Sequence, residues 1–191
     1  MKRTSTMKVL TIGLLTVSAF ALSACQEDGQ ATSFKNVDQC ISAAMNVDAG
    51  FTADDCRKGF EAAVAENKVS APRYDAMALC EEEHGAGACQ VEQRSGGSSV
   101  FLPLMMGYMM GSWNIDKDHK SYAYAPVYPL KSGGYATASG GYYTSSYGAK
   151  SYASPSALSA KAAPTYKSAP MTRVSIASKG GFGARVGGFG G

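Results

Sequence analysis

Four cysteines within fifty residues constrain this 191-residue chain more than any other feature. They are Cys40, Cys56, Cys80 and Cys89, separated by 15, 23 and 8 intervening residues. Four such residues close disulfides, hold a metal or carry thiol chemistry. Zinc sites draw on Cys pairs two to four residues apart, and no such pair is present. A C-x-x-C redox pair is also missing. Disulfides require an oxidising compartment, so the choice turns on where the chain resides.

The first 25 residues supply that address. Lys2, Arg3 and Lys8 form a basic start, and Val9 to Leu22 follows without a charge. This is the layout of a secretory signal, too short to span a bilayer comfortably. It ends Leu22-Ser23-Ala24-Cys25, an aliphatic residue and two small ones before a cysteine. The run resembles the bacterial lipoprotein box, in which the cysteine is acylated and becomes the new N-terminus. Cys25 is therefore the lipidation site read from the sequence. One acyl chain binds a membrane marginally, whereas several hold it durably. Gln26 stands where an Asp signals inner-membrane retention in enterobacteria. The expectation is a chain anchored at the outer membrane, facing the periplasm.

In that compartment Cys40, Cys56, Cys80 and Cys89 read as two disulfides. Three connectivities exist; the sequential one, Cys40–Cys56 with Cys80–Cys89, is preferred because each bond closes a short loop beside a predicted helix. Residues 26–99 carry a net charge of −7. Thr52-Ala-Asp-Asp55 makes a helix cap, after which Cys56, Phe60, Ala63 and Val64 share one face. Gly59 weakens that helix. Asp38 starts a shorter helix through Met45, and Asp75 another through His84, with Gly85 as its stop. Asn67 to Arg73 is the connection. The fold class read from these signals is small α: a disulfide-stapled helical module at 37–94, tethered through 25–36.

Residues 95–113 are a Ser/Gly linker and a Met-rich apolar patch. Phe101, Leu102, Leu104, Met105, Met106, Tyr108, Met109, Met110 and Trp113 are read as partner or membrane contacts. A buried element packed on the helical module is the competing reading. Copper ligation by the methionines lacks an accompanying His or Cys.

Residues 114–191 hold few large aliphatic side chains against many Gly, Ser and Tyr. The stretch from 112 onward carries +7. So little apolar surface does not offset the entropy of ordering, so a disordered basic tail is expected. Its opposite charge lets it fold back on the acidic module or bridge to neighbours. Spaced aromatics with Lys and Arg also suit nucleic acid, but an exported chain points instead to polysaccharide or an envelope protein.

With the signal removed, the chain has 15 basic and 15 acidic residues. No nucleophile elbow or phosphate loop is legible, and no cofactor or metal is assigned. Glu81-Glu82-Glu83-His84 reads as a solvated helix end. The enzymatic alternative would gather Glu82, His84 and Tyr74. A non-enzymatic envelope role is favoured, with enzymatic status and oligomeric state left open.

The motifs Asp38-Gln-Cys40, Ala71-Pro72-Arg73-Tyr74, Gly85-x-Gly87-x-Cys89, Pro103-Leu104-Met105, Gly107-Tyr-Met-Met-Gly111 and Gly180-Gly-Phe-Gly183 accompany the Cys25 box. Together they resemble the YgiB-like family of uncharacterised bacterial lipoproteins. That resemblance implies an envelope location and no established activity. Members of that family can be encoded beside an ATP-grasp protein similar to glutathionylspermidine synthetase. This implies a polyamine- or glutathione-linked context and no catalytic residues.

Overall fold

The computed structural model describes residues 29–114, 120–153, 157–158 and 161–179. The signal segment and Cys25 lie outside the described residues. Eight strands dominate among the described residues: β1 (Gly29–Phe34), β2 (Cys89–Gln93), β3 (Ser99–Pro103), β4 (Gly107–Asn114), β5 (Lys120–Pro129), β6 (Tyr135–Thr137), β7 (Tyr143–Thr144) and β8 (Lys150–Ala153). Helices α1 (Val37–Ala44), α2 (Ala53–Ser70), α3 (Met77–His84) and α4 (Arg173–Lys179) accompany them.

The expected small α fold is therefore overturned. Six strands form one antiparallel sheet in the order β7-β6-β5-β4-β1-β8, and β2 pairs with β3 in a second sheet. The large sheet curls until its edges nearly meet, where Ser151 Oγ on β8 lies 3.4 Å from Thr144 Oγ1 on β7. The stretch expected to be disordered supplies β5 to β8 and α4.

The reason lies in Ser121-Tyr-Ala-Tyr-Ala-Pro-Val-Tyr128, which alternates with period two. Side chains alternate between the faces of a strand. Ala123, Ala125 and Val127 therefore face the interior, where they join Ala31, Met109, Tyr142, Ala153 and Leu158. Tyr122 and Tyr124 face outward beside Phe34, Tyr108 and Met110, and α1 and α2 cover them. Bulky tyrosines bury more area than their polar hydroxyls suggest, so a segment poor in Leu and Ile still builds a core.

α2 follows its local signal, whereas α1 starts ahead of Asp38 and α3 starts after Ala76 without a side-chain cap from Asp75. Thr52 and Asp55 form a reciprocal capping box that starts α2, and Asn36 caps α1. Gly85 ends α3 with a φ of +101°. Gly59 does more than weaken α2: a Cβ there would sit 2.5 Å from the Tyr124 ring, so glycine lets the helix lie close on β5. Disulfides join Cys40 to Cys56 and Cys80 to Cys89 with S–S distances of 2.01 Å. This is the preferred sequential pairing. The first clips α1 to α2, and the second ties α3 to β2.

Beyond β8 the chain crosses back over the module. Thr165 N–H donates to Val69 O at 2.8 Å and Met171 N–H to Arg73 O at 2.7 Å. Arg173 then makes a two-pronged bond to Glu82, both contacts 2.9 Å. The strap thus lies back on the module through backbone hydrogen bonds and this one exposed ion pair.

Candidate functional site

Most of the chemistry-bearing side chains meet where α3, β3, the end of β5 and the strap converge. Tyr74 sits between β3 and the strap. Its N–H donates to Phe101 O at 2.9 Å, and it also bridges to Met171. α3 then carries His84 to the same place. The Tyr74 hydroxyl lies 2.8 Å from His84 Nε2, and His84 Nδ1 lies 2.7 Å from Pro129 O. A carbonyl only accepts, so Nδ1 carries the proton and Nε2 accepts from the Tyr74 hydroxyl. Both residues are buried. Burial drives the His84 pKa from its ordinary 6.5 to about 4, against the opposing bond to Pro129. Burial, with Glu83 adding to it, pushes the Tyr74 hydroxyl up. The imidazole is therefore neutral at pH 7, with both ring nitrogens engaged.

The same corner holds Arg73. Its guanidinium donates to Ala71 O at 3.2 Å, Thr165 Oγ1 at 3.0 Å and Lys68 O at 3.1 Å, and pairs with Glu92 at 3.4 Å. Thr165 Oγ1 in turn donates to Ala71 O. On the far side of this corner Tyr128 donates to Asn67 Oδ1 at 2.7 Å. Among the described residues, Arg73 Nε and the buried Glu66 Oε1 have no hydrogen-bond partner.

The sequence reading of Glu81 to His84 as a solvated helix end fails for His84, which points into the core. It fits Glu82, which is paired with Arg173 at the surface; that bond holds its carboxyl below the usual range. The enzymatic grouping is thus half assembled: Tyr74 meets His84, and Glu82 turns away from both. The pair's hydroxyl and ring nitrogens are spent on each other and on Pro129, which makes it a structural latch.

The nine apolar residues read as contacts divide. Leu102, Tyr108, Met109 and Met110 are buried and belong to the core. Met109 joins the interior cluster and Met110 the helix-covered one, so the two do not converge on one ion. Phe101, Leu104 and Met105 are half-buried, and Met106 is exposed. Trp113 pairs with Ser121 through the backbone. Cys25 lies outside the described residues.

Sequence reasoning missed the roles of Arg73, Asn67, Tyr128 and Thr165. Ala71-Pro72-Arg73-Tyr74 stood out as a motif, but nothing in its spacing linked it to Thr165, 92 residues from Arg73. The alternation at 121–128 was the signal that could have placed Tyr128.

Residues 28–189 match the profile of a family described as "Protein of unknown function (DUF1190)". A UPF0441 protein of Erwinia tasmaniensis is 35% identical over 116 residues, 53% of this chain and 49% of that protein. UPF0441 proteins of Pectobacterium carotovorum and Klebsiella pneumoniae are each 28% identical, across 58% of this chain and 52% and 53% of theirs. The chain spans about half the length of the curated relatives it matches. No solved structure matches. The resemblance read from the sequence holds at the level of an uncharacterised bacterial family.

Proposed function

The chain belongs to the DUF1190 family, a family of unknown function, and from that premise we propose that it is a cell-envelope lipoprotein. It is held through acylated Cys25 at the periplasmic face of the outer membrane, and its role is binding or assembly. The observation that carries this reading is the use of the cysteines. Four of the five are spent in two disulfides, so Cys25 has none of them to pair with and sits in an acyl-acceptor sequence. Disulfides also fit an exported chain.

The binding role is supported by the Tyr74–His84 pair. A general base needs a free lone pair within reach of a substrate proton, and the Nε2 lone pair is taken by Tyr74. An envelope protein or a polysaccharide is the partner class this reading favours.

Intact-mass measurement on protein isolated from envelopes tests the anchor. The expected mass begins at an acylated Cys25 and is four hydrogens lighter than the reduced chain. A mature chain that begins at another residue, or carries no acyl mass, overturns the reading. Cys25→Ala should move the protein from the membrane to the soluble fraction.

One specific observation favours a second reading, an enzyme or accessory subunit acting on an envelope or polyamine/glutathione-linked substrate. Tyr74 and His84 do meet. That reading requires Tyr74→Phe to abolish complementation of a deletion phenotype while the protein stays folded and at normal abundance.

A further inference from the structure

We propose that the loop between α1 and α2 is a second membrane contact, an apolar tip resting on the leaflet that holds the acyl chains of Cys25. This rests on the lipid-anchor reading. Met45 is 82% exposed and Val47 98% exposed, the two most exposed large apolar side chains described. Isolated exposed apolar residues are ordinary, so their place in the fold decides what they do.

β1 and β5 are both antiparallel to β4 and therefore run the same way. Gln30, Ser112 and Tyr122 lie in one row across the three strands. The Tyr122 hydroxyl donates to Gly50 O at 2.5 Å, which fixes the loop beside that row. α2 then follows β5 in the same direction. Its Gly59 lies over Tyr124, and its Asn67 reaches Tyr128. The Cys40–Cys56 disulfide ties α1 alongside the first turn of α2. The α1–α2 loop therefore lies at the end of the sheet where β1 begins.

That end is also the one nearest the anchor. Gly29 follows Cys25 by four residues, a covalent reach of at most ~14 Å. The head-group layer between the hydrocarbon and water accounts for about 5–8 Å of that distance. An anchored chain thus keeps the start of β1 close to the leaflet, and Met45 and Val47 with it.

The charges around the tip are mixed. Asp48 is in the loop, Asp54 pairs with Lys58 at 2.6 Å, Asp55 is held by Thr52, and Arg57 is exposed. No basic cluster points to anionic lipid. The contact is apolar, so it depends on acyl chains and not on leaflet charge.

The test uses the full lipidated chain in vesicles of phosphatidylethanolamine and phosphatidylglycerol with brominated acyl chains. Val47→Trp reports on the tip. Val174→Trp is the control, because Val174 is 79% exposed on α4. The strap leading to α4 meets the C-terminal end of α2 at Val69, about 24 Å along that helix from its start. The signal of Trp113 in the parent is subtracted. The proposal expects the Val47→Trp emission to be quenched at least threefold more than that of Val174→Trp, and to stay so without phosphatidylglycerol. Equal quenching of the two variants in a chain that floats with the vesicles overturns the tip and leaves the anchor standing. A chain that fails to float, or Cys25→Ala floating as well as the parent, overturns the anchor reading instead.

Discussion

The two faces of the six-stranded sheet use different residue sizes. Outward, Phe34, Tyr108, Met110, Tyr122 and Tyr124 meet a helical layer. Inward, Ala31, Ala123, Ala125 and Val127 meet each other and Leu158. Layers packed on a sheet lie about 10 Å away, and large side chains fill that gap. A sheet curled nearly shut leaves less room, so small Ala31, Ala123 and Ala125 sit there among the few large side chains of Met109, Tyr142 and Leu158. A Cβ added at Gly29 or Gly111 would fall 1.8 Å from a Leu158 methyl, so the two glycines form the notch that Leu158 fills. The outer layer is also covalently stapled by Cys40–Cys56, whereas no disulfide among the described residues ties the inner cluster.

The largest effect is expected where the faces join. Gly107 begins β4 with a φ of +156°. A Cβ there would stand 2.3 Å from the Phe34 carbonyl oxygen and 2.9 Å from the Tyr147 ring. The first obstacle is backbone and cannot rotate away. Gly107→Ala should lose about 4 kcal/mol in urea denaturation, the range reserved for core overpacking and strained backbone. A variant as stable as the parent would show that the strand entrance is loose and that the faces are not locked to each other there.

Removing the staple and removing the inner plug should cost comparable amounts. Cys40→Ala with Cys56→Ala frees a loop of 16 residues, worth about 3 kcal/mol in the chain-entropy model. The shorter Cys80–Cys89 loop is worth about 2.5 kcal/mol on the same basis. Leu158→Ala leaves a cavity at the notch and should also cost about 3 kcal/mol. Calorimetry on the Cys40→Ala/Cys56→Ala and Leu158→Ala variants compares a covalent device with a packed one. If Leu158→Ala is silent, the inner face holds itself without its plug.

The helices and their staples were readable because their signals are local. Thr52 with Asp55, Gly85, and cysteines beside helix ends each act within a turn or two. The sheet was not readable in the same way. Ala and Tyr at alternate positions from 121 to 128 score as neither strongly apolar nor strongly polar, so composition averaged over 80 residues hid a period of two. The interior glycines look like flexible-tail residues until a partner such as Leu158 is known. His84 was misplaced for a related reason. A run of three glutamates announces solvent, yet the next position on a helix turns by about 100°, enough to face the core.

That burial gives a pH test of the α3 corner. Unfolded, His84 binds a proton near 6.5; folded, near 4. Between those values the unfolded chain holds more protons, so stability falls as pH drops through this window. From pH 7.5 to 4.5 the loss should be on the order of 2–3 kcal/mol. His84→Asn, which cannot titrate, should show a correspondingly flatter profile in urea denaturation. Parallel profiles for the two proteins would mean that water reaches the imidazole and that this corner is as open as the outer surface.

The strap should respond least, and how it responds separates its two kinds of attachment. Thr165 is half-buried and bonded to both Ala71 and Arg73, so Thr165→Val removes hydrogen bonds in the protein interior and should cost about 1 kcal/mol. Arg173 and Glu82 face water on the far side of Met171. Exposed pairs gain little because water and salt screen them and two long side chains must be ordered. Arg173→Ala should therefore leave the urea midpoint unchanged. The backbone bonds of Met171 and Asp75 remain in that variant, so the strap stays docked while its end frays. Hydrogen exchange should speed up at Ile176, whose N–H donates to Thr172 O, and hold steady at Met171. Equal acceleration at both amides would mean that the charge pair, and not the buried Thr165 bonds, keeps the strap against the module.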